Sequence, residues 1–115
     1  MVRRMTSVTS LVTMVALASI ASASSSTFNE DEAKKELMAA RVRSADCSRV
    51  SGVTGVGKLK VSIGNGGQVS EIIMLTVPPN MDDKTDACVR AEFSKIRVTP
   101  FEGETVNVTG AFVLR

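Results

Sequence analysis

The stretch KLKVSIGNGGQV, residues 58–69, decides the fold of this chain. Apolar and polar side chains alternate from Lys58 to Ile63, and a period of two is typical of a half-buried strand. The glycine-rich segment 64–67 contains the pair Asn65-Gly66, and both residue types tolerate the positive φ angles of tight hairpin turns. The stretch therefore predicts the first strand of a hairpin and the turn that follows it.

The second strand of the hairpin is predicted from Gln68 to Val77. Pro78 and Pro79 end it, because proline cannot donate a hydrogen bond to a sheet ladder. Its apolar residues fall on two faces, one with Val69, Ile73, Leu75 and Val77 and the other with Ile72 and Met74. The middle of this strand is therefore expected to be covered on both sides, or to present Ile72 and Met74 to a partner.

A helix and one more strand are predicted after the hairpin. Asp82 or Asp83 can cap the helix, whose apolar stripe falls at Val89, Phe93 and Ile96. Beyond a turn at residues 102–104, the last strand is indicated by the alternating residues Val106, Val108, Phe112 and Leu114. Gly110 interrupts this apolar face and marks either a bulge or a close approach of backbone.

An N-terminal helix precedes the hairpin. Asn29 is a suitable N-cap, with Glu32 three residues later as in a capping box. The helix is expected to end near Cys47. The sequence thus predicts one α+β domain over residues 29–115, in which an N-terminal helix precedes a β-β-α-β unit. A right-handed crossover places the last strand beside the first and antiparallel to it, giving a three-stranded antiparallel or mixed sheet of order 2-1-3, covered by helices.

The first residues have the layout of a secretory signal peptide. Two arginines precede the apolar stretch Leu11–Ile20, and the small-residue site Ala21–Ala23 follows. We expect residues 1–23 to be removed by cleavage between Ala23 and Ser24, with 24–28 as a short linker and no transmembrane anchor after cleavage. The alternative is a retained anchor, although the apolar stretch is about half of the roughly 20 residues that span a bilayer. Export predicts a periplasmic or secreted protein.

Both cysteines lie in the part expected to be exported. An oxidising compartment makes Cys47 and Cys88 candidates for a disulfide, and the alternative is two free, buried thiols. A disulfide enclosing a loop of this length contributes about 4 kcal/mol in the chain-entropy model. It would join the end of the N-terminal helix to the beginning of the second helix.

Catalytic, metal-binding and nucleic-acid-binding signals are weak. The sequence contains no His, the commonest general base and metal ligand. Asp82, Asp83 and Asp86 lack the spacing of a calcium loop and are better explained by helix capping. The 14 basic residues fall to 12 once Arg3 and Arg4 are removed, which equals the number of acidic residues. We therefore expect no enzyme activity, no cofactor and no nucleic-acid partner.

Several segments of the chain resemble the C-terminal domain superfamily of TonB. The segments 57–64 and 67–69 are similar to its opening hairpin, and 88–93 and 98–106 are similar to its helix and final strand. The Cys-Val pair near the helix start and the Pro-Phe-x-Gly turn resemble the branch called AgmX/PglI C-terminal-like, found in myxobacterial and related envelope proteins. The resemblance covers about Cys47 to Arg115.

The resemblance implies a periplasmic domain that binds by strand addition. In TonB the last strand of such a domain accepts a strand from the TonB box of an outer-membrane transporter, and main-chain hydrogen bonds supply the affinity. The corresponding partner-binding edge strand here carries Val106, Val108, Phe112 and Leu114. A TonB energy transducer has a retained anchor and a long Pro-rich spacer, and these differ from the short linker predicted here. The implied function is thus a non-enzymatic envelope domain, without energy transduction.

Two alternatives accompany this hypothesis. An unpaired sheet edge can also pair with a second copy, which would give a homodimer through the last strand. A different class of function is a secreted, disulfide-stabilised structural or inhibitor-like module. Such a module would contact its target through the loops Pro78–Lys84 and Phe101–Glu104.

Overall fold

The computed structural model describes residues 27–115, and the predicted signal peptide with its cleavage site at Ala23 and Ser24 lies outside them. The described chain forms three α-helices, one 3-10 turn and three strands. In chain order these are α1 Glu30–Ser44, the 3-10 turn Ala45–Cys47, α2 Ser48–Ser51, β1 Gly55–Ile63, β2 Val69–Thr76, α3 Asp83–Phe93 and β3 Val106–Leu114. No helix in this part of the chain is long and apolar enough to cross a membrane.

The three strands form an antiparallel sheet of order β2-β1-β3, which confirms the predicted α+β fold and strand order. β1 is the central strand and pairs with β3 in one unbroken register, from Gly55 opposite Leu114 to Ile63 opposite Val106. The register between β1 and β2 shifts twice, and each shift adds one residue to β2. The two edges of the sheet therefore differ in regularity.

The faces of β2 differ from those that the sequence predicts. Ile72 and Met74 are half-buried against the core, whereas Leu75 and Val77 are 54% and 45% exposed. The cause is the shift of register between Val69 and Glu71, because one extra residue reverses which side chains face inward. Ile72 and Met74 are thus core residues and not a partner surface.

The helices cover one face of the sheet. The fully buried core joins residues of the sheet with residues of α3 and the turn after it, namely Leu59, Val61, Ile63, Val89, Phe93, Ile96 and Phe112. Phe112 lies directly over Gly57, where a Cβ atom would come 2.2 Å from its ring. Gly110 allows a close approach of the Leu37 side chain from α1, so neither the predicted bulge nor an approach of another backbone segment is found at this residue.

A disulfide joins the 3-10 turn after α1 to α3. Cys47 and Cys88 are bonded, as predicted, with their Cα atoms 5.8 Å apart, and Cys47 is buried. An ion pair strengthens the same contact, because Arg43 Nε lies 3.1 Å from Glu92 Oε1 and Arg43 Nη2 donates to the Glu92 carbonyl. The path of the chain after α1 continues through the 3-10 turn into α2, so helical structure extends beyond Cys47 to Ser51.

Both long helices have the predicted N-caps. Asn29 Oδ1 accepts from the Glu32 amide at 3.0 Å, and Asp82 Oδ1 accepts from the Thr85 amide at 2.9 Å. Hydrogen bonds from Ser51 and then from Thr85 lower the pKa of Asp82 from 3.8 to about 2. Asp82 therefore links the start of α3 to α2 as a carboxylate.

The loop between α3 and β3 is held by hydrogen bonds to the hairpin and to α1. The Val98 amide donates to the Gly67 carbonyl at 2.9 Å, and the Thr99 amide donates to Glu32 Oε1 at 3.0 Å. Phe101 is buried and packs edge-on against Phe28, with ring centroids 5.1 Å apart. Phe28, the last residue of the predicted linker, therefore packs against the domain.

Candidate protein-binding site

A groove runs between α1 and the outer side of β3, and we call it the edge groove. It consists of two adjacent depressions of about 260 and 220 Å³. α1 lies along β3, with its N-terminal turn near Val106 and Lys34 lining both depressions. The lining residues are Phe28, Glu30, Ala33, Lys34, Leu37, Met38 and Arg41 on one side and Val106, Asn107, Val108, Thr109 and Ala111 on the other.

The direction of the backbone groups in β3 follows from three contacts. The Gly64 amide donates to Gln68 at 2.9 Å, and the Ser62 carbonyl accepts from Ser70 Oγ at 3.2 Å. Even-numbered residues of β1 therefore direct their backbone groups toward β2, and odd-numbered ones direct theirs toward β3. The Ile72 carbonyl agrees with this alternation, because it points away from β1 and accepts from Arg90.

The odd-numbered residues of β1 stand opposite the even-numbered residues of β3, as in the pair Val61 and Val108. The even-numbered residues of β3 thus bond to β1, and the odd-numbered ones point to the free edge. These outward residues are Asn107, Thr109, Ala111 and Val113. By this alternation their amides and carbonyls face away from β1, and among residues 27–115 no backbone hydrogen bond outside the sheet ladder involves them. β3 can therefore accept a further strand along most of its length.

The predicted edge-strand residues occupy the inner side of this edge. Phe112 and Leu114 are buried in the core, so their side chains support the strand and cannot contact a partner. Val106 and Val108 are half-buried and line the groove floor. The sequence pattern locates the strand, and the backbone geometry assigns the free groups to the alternate residues.

The edge of β2 is much less available. Arg90 of α3 crosses toward it, and its Nη1 donates to the Ile72 carbonyl at 2.7 Å while its Nε pairs with Asp86 at 2.8 Å. The two register shifts also interrupt the regular spacing of outward groups along β2. Bulges and covered carbonyls are ways in which proteins protect a sheet edge from pairing.

The loops of the alternative hypothesis are partly committed to structure. Asp82 and Asp86 in or next to the first loop serve as a cap and an ion-pair partner, which agrees with the capping interpretation of the aspartates. Phe101 of the second loop is a core residue, and Asn65 Nδ2 donates to the Gly103 carbonyl. Among residues 27–115, no three His, Cys, Asp or Glu side chains converge as a metal site.

The sequence alone did not reveal the contribution of α1 to the site. Met38 and Val42 are 59% and 69% exposed on α1, and Met38 stands beside the groove. The thin apolar stripe of α1 predicts a helix with little to bury. The exposed apolar and basic residues on one side of α1 were the sequence signal that could have indicated a binding surface.

Comparisons with known proteins identify the fold. No protein-family model matches this chain, and no curated protein matches it significantly. The solution structure of the Helicobacter pylori TonB C-terminal domain, residues 179–285, is similar with a TM-score of 0.51 and 19% identity, covering 87% of this chain and 94% of that one. A shorter form, residues 194–285, gives a TM-score of 0.49 at 19% identity, with coverage of 73% and 92%. The chain therefore has a TonB C-terminal-domain-like fold.

Proposed function

We propose that this chain is a non-enzymatic envelope domain that binds a protein or peptide by adding a strand to β3. We further propose that it belongs to the AgmX/PglI C-terminal-like branch and acts in the periplasm or outside the cell after removal of its signal peptide. The partner is an extended segment of another protein or, alternatively, β3 of a second copy. Transmission of force is not part of the proposal.

One observation carries this proposal: β3 presents a regular row of backbone groups that lack partners within residues 27–115. Four alternate residues, Asn107, Thr109, Ala111 and Val113, direct amides and carbonyls outward, and the edge groove beside them leaves space for side chains of an added strand. Main-chain hydrogen bonds give affinity in this mode of binding, and the pockets for alternate side chains give specificity. The resemblance of the sequence to the TonB C-terminal domain superfamily implies the same location, because the last strand of such a domain accepts an added strand.

Site-specific photo-crosslinking in the envelope of the source organism tests the proposal. A photoreactive residue at Asn107 stands on the β3 edge, and the same residue at Glu71 stands on β2; both side chains are exposed. We expect a specific envelope protein to be captured from position 107 and not from position 71. Equal capture from both positions would contradict the choice of edge.

Two variants at one position provide the matched control. Thr109→Pro removes an amide that faces the open edge of β3, whereas Thr109→Ala changes the same exposed side chain and keeps the amide. We expect Thr109→Pro to abolish capture in a chain that still folds, and Thr109→Ala to retain it. Circular dichroism of both variants establishes folding independently of capture, and undiminished capture by folded Thr109→Pro would overturn strand addition at β3.

A further inference from the structure

The edge groove carries two basic side chains that have no ion-pair partner in the described part of the chain, residues 27–115. Within residues 27–115, the ion pairs are Arg43–Glu92, Arg90–Asp86 and Lys95–Glu92. Lys34 and Arg41 are absent from this set, and both are exposed along the groove. Glu30 is the acidic residue of the lining and lies at the Val106 end.

The spacing of these groups matches an extended strand. Lys34 and Arg41 are seven residues apart on one side of α1, about 10 Å at 1.5 Å per residue. Met38 lies between them. In a strand laid along β3, side chains facing the groove recur about every 6.8 Å, and four residues span about 14 Å. The long side chains of lysine and arginine cover the difference.

A second copy of this chain fits the groove poorly. Antiparallel pairing of two β3 strands about a two-fold axis normal to the sheet places both α1 helices on the same face and antiparallel. When the axis lies midway between Lys34 and Arg41, Lys34 of one copy approaches Arg41 of the other. Like charges brought together at an interface disfavour the pairing, whereas carboxylates on an added strand are attracted to the same groups.

We propose that the edge groove selects an extended segment whose groove-facing side chains run acidic, apolar and acidic at alternate positions. The two carboxylates meet Lys34 and Arg41, and the apolar side chain packs on Met38. This inference rests on the proposed strand addition to β3, because only an added strand directs alternate side chains toward α1. It specifies the chemistry of the partner and predicts that β3 binds an acidic strand of another protein in preference to a second copy of this chain.

Peptide binding measured by NMR titration of the isotope-labelled chain tests this inference. The probe is a seven-residue peptide of threonine with valine at its fourth position and glutamate at its second and sixth, and two counterparts carry glutamine or lysine in place of glutamate. At about 0.05 M salt, we expect the glutamate peptide to bind at least about tenfold more tightly than the lysine peptide. Rising salt should reduce the difference, and the shifted amides should lie in β3 and α1.

Charge-reversed variants assign the preference to the groove. The double variant Lys34→Glu/Arg41→Glu should favour the lysine peptide. The matched control Lys35→Glu/Arg49→Glu changes net charge equally at exposed positions that do not line the groove, and it should keep the original preference. Equal affinity for the three peptides, or reversal by the control variant, would overturn the inference.

The outcomes also separate this inference from the proposed strand addition. Binding that is abolished by Thr109→Pro but equal for all three peptides overturns the charge preference and keeps strand addition. A preference for glutamate that persists undiminished in Thr109→Pro overturns strand addition. Absence of peptide binding, with sedimentation showing a dimer that Thr109→Pro converts to monomer, assigns the edge to a second copy and overturns the acidic-partner inference.

Discussion

The two edges of the sheet differ in how readily a further strand could pair with them, although both are formed by strands of similar length. β3 pairs with β1 over nine residues without interruption and leaves its outward groups unpartnered within the described part of the chain. β2 is shifted in register twice, and Arg90 covers the Ile72 carbonyl. One edge is thus protected and the other is regular, which is the arrangement expected when only one edge binds.

The difference also involves the helices. Arg90 of α3 covers one carbonyl of the β2 edge, that of Ile72. A depression lies between α3 and β2, just as the edge groove lies between α1 and β3. The disulfide between Cys47 and Cys88 and the ion pair between Arg43 and Glu92 hold the two helices together. The covered carbonyl and the register shifts of β2, and not the presence of a groove, therefore distinguish the two edges.

The largest expected effect comes from removing the disulfide. Cys47→Ser/Cys88→Ser should lower the free energy of unfolding by about 4 kcal/mol, because the unfolded chain gains the entropy of an open loop. The 3-10 turn that follows α1 then loses its covalent link to α3, so the groove wall that α1 forms along β3 should loosen before β2 does. Urea unfolding measures the first effect. Hydrogen exchange measures the second, and equal loosening at both edges would contradict it.

A smaller effect is expected from uncovering the β2 edge. Arg90→Ala frees the Ile72 carbonyl and removes the contact with Asp86, and because the arginine is partly exposed the cost should be about 1 kcal/mol or less. The photoreactive residue at position 71 should then begin to capture proteins. Arg49→Ala, which alters an exposed arginine on α2, is the control. If the photoreactive residue at position 71 still captures no protein in Arg90→Ala, Arg90 does not prevent pairing at the β2 edge.

The smallest effect concerns acid. The folded-state pKa of Asp82 is about 2, below its ordinary 3.8, so its contribution to stability is present above about pH 5 and is lost as pH falls toward 2. Lys95 and then Arg43 lower the pKa of Glu92, so the contribution of Glu92 to stability is also lost as the pH falls. Asp82→Asn retains a good N-cap and should flatten part of the decline of Tm between pH 5 and 2. A decline identical to that of the parent chain would contradict the assignment to Asp82.

The sequence predicts the sheet well because its signals are local. Alternation in β1 and β3, the Asn-Gly turn and the caps at Asn29 and Asp82 each depend on neighbouring residues. The faces of β2 could not be predicted, because the residue that reverses them is defined by pairing with β1.

The candidate site was only partly predictable for a related reason. Periodicity identifies β3 as a strand with Phe112 on its apolar face, and strand order makes it an edge. Which amides of β3 face outward depends on which residues of β1 bond to β2 and which bond to β3. The groove depends on how α1 packs beside β3. Both are tertiary properties, as is the contact of Arg90 with the Ile72 carbonyl.

Hydrogen exchange of the β3 amides, followed by NMR, tests the central claim most directly. In the free chain, Val108, Gly110 and Phe112 should exchange at least about a hundredfold more slowly than Thr109 and Ala111, because only the former bond to β1. Addition of a partner captured from position 107 should protect Thr109 and Ala111. Slow exchange at these two residues in the free monomer, or bound-state protection that appears on β2 instead, would contradict the account.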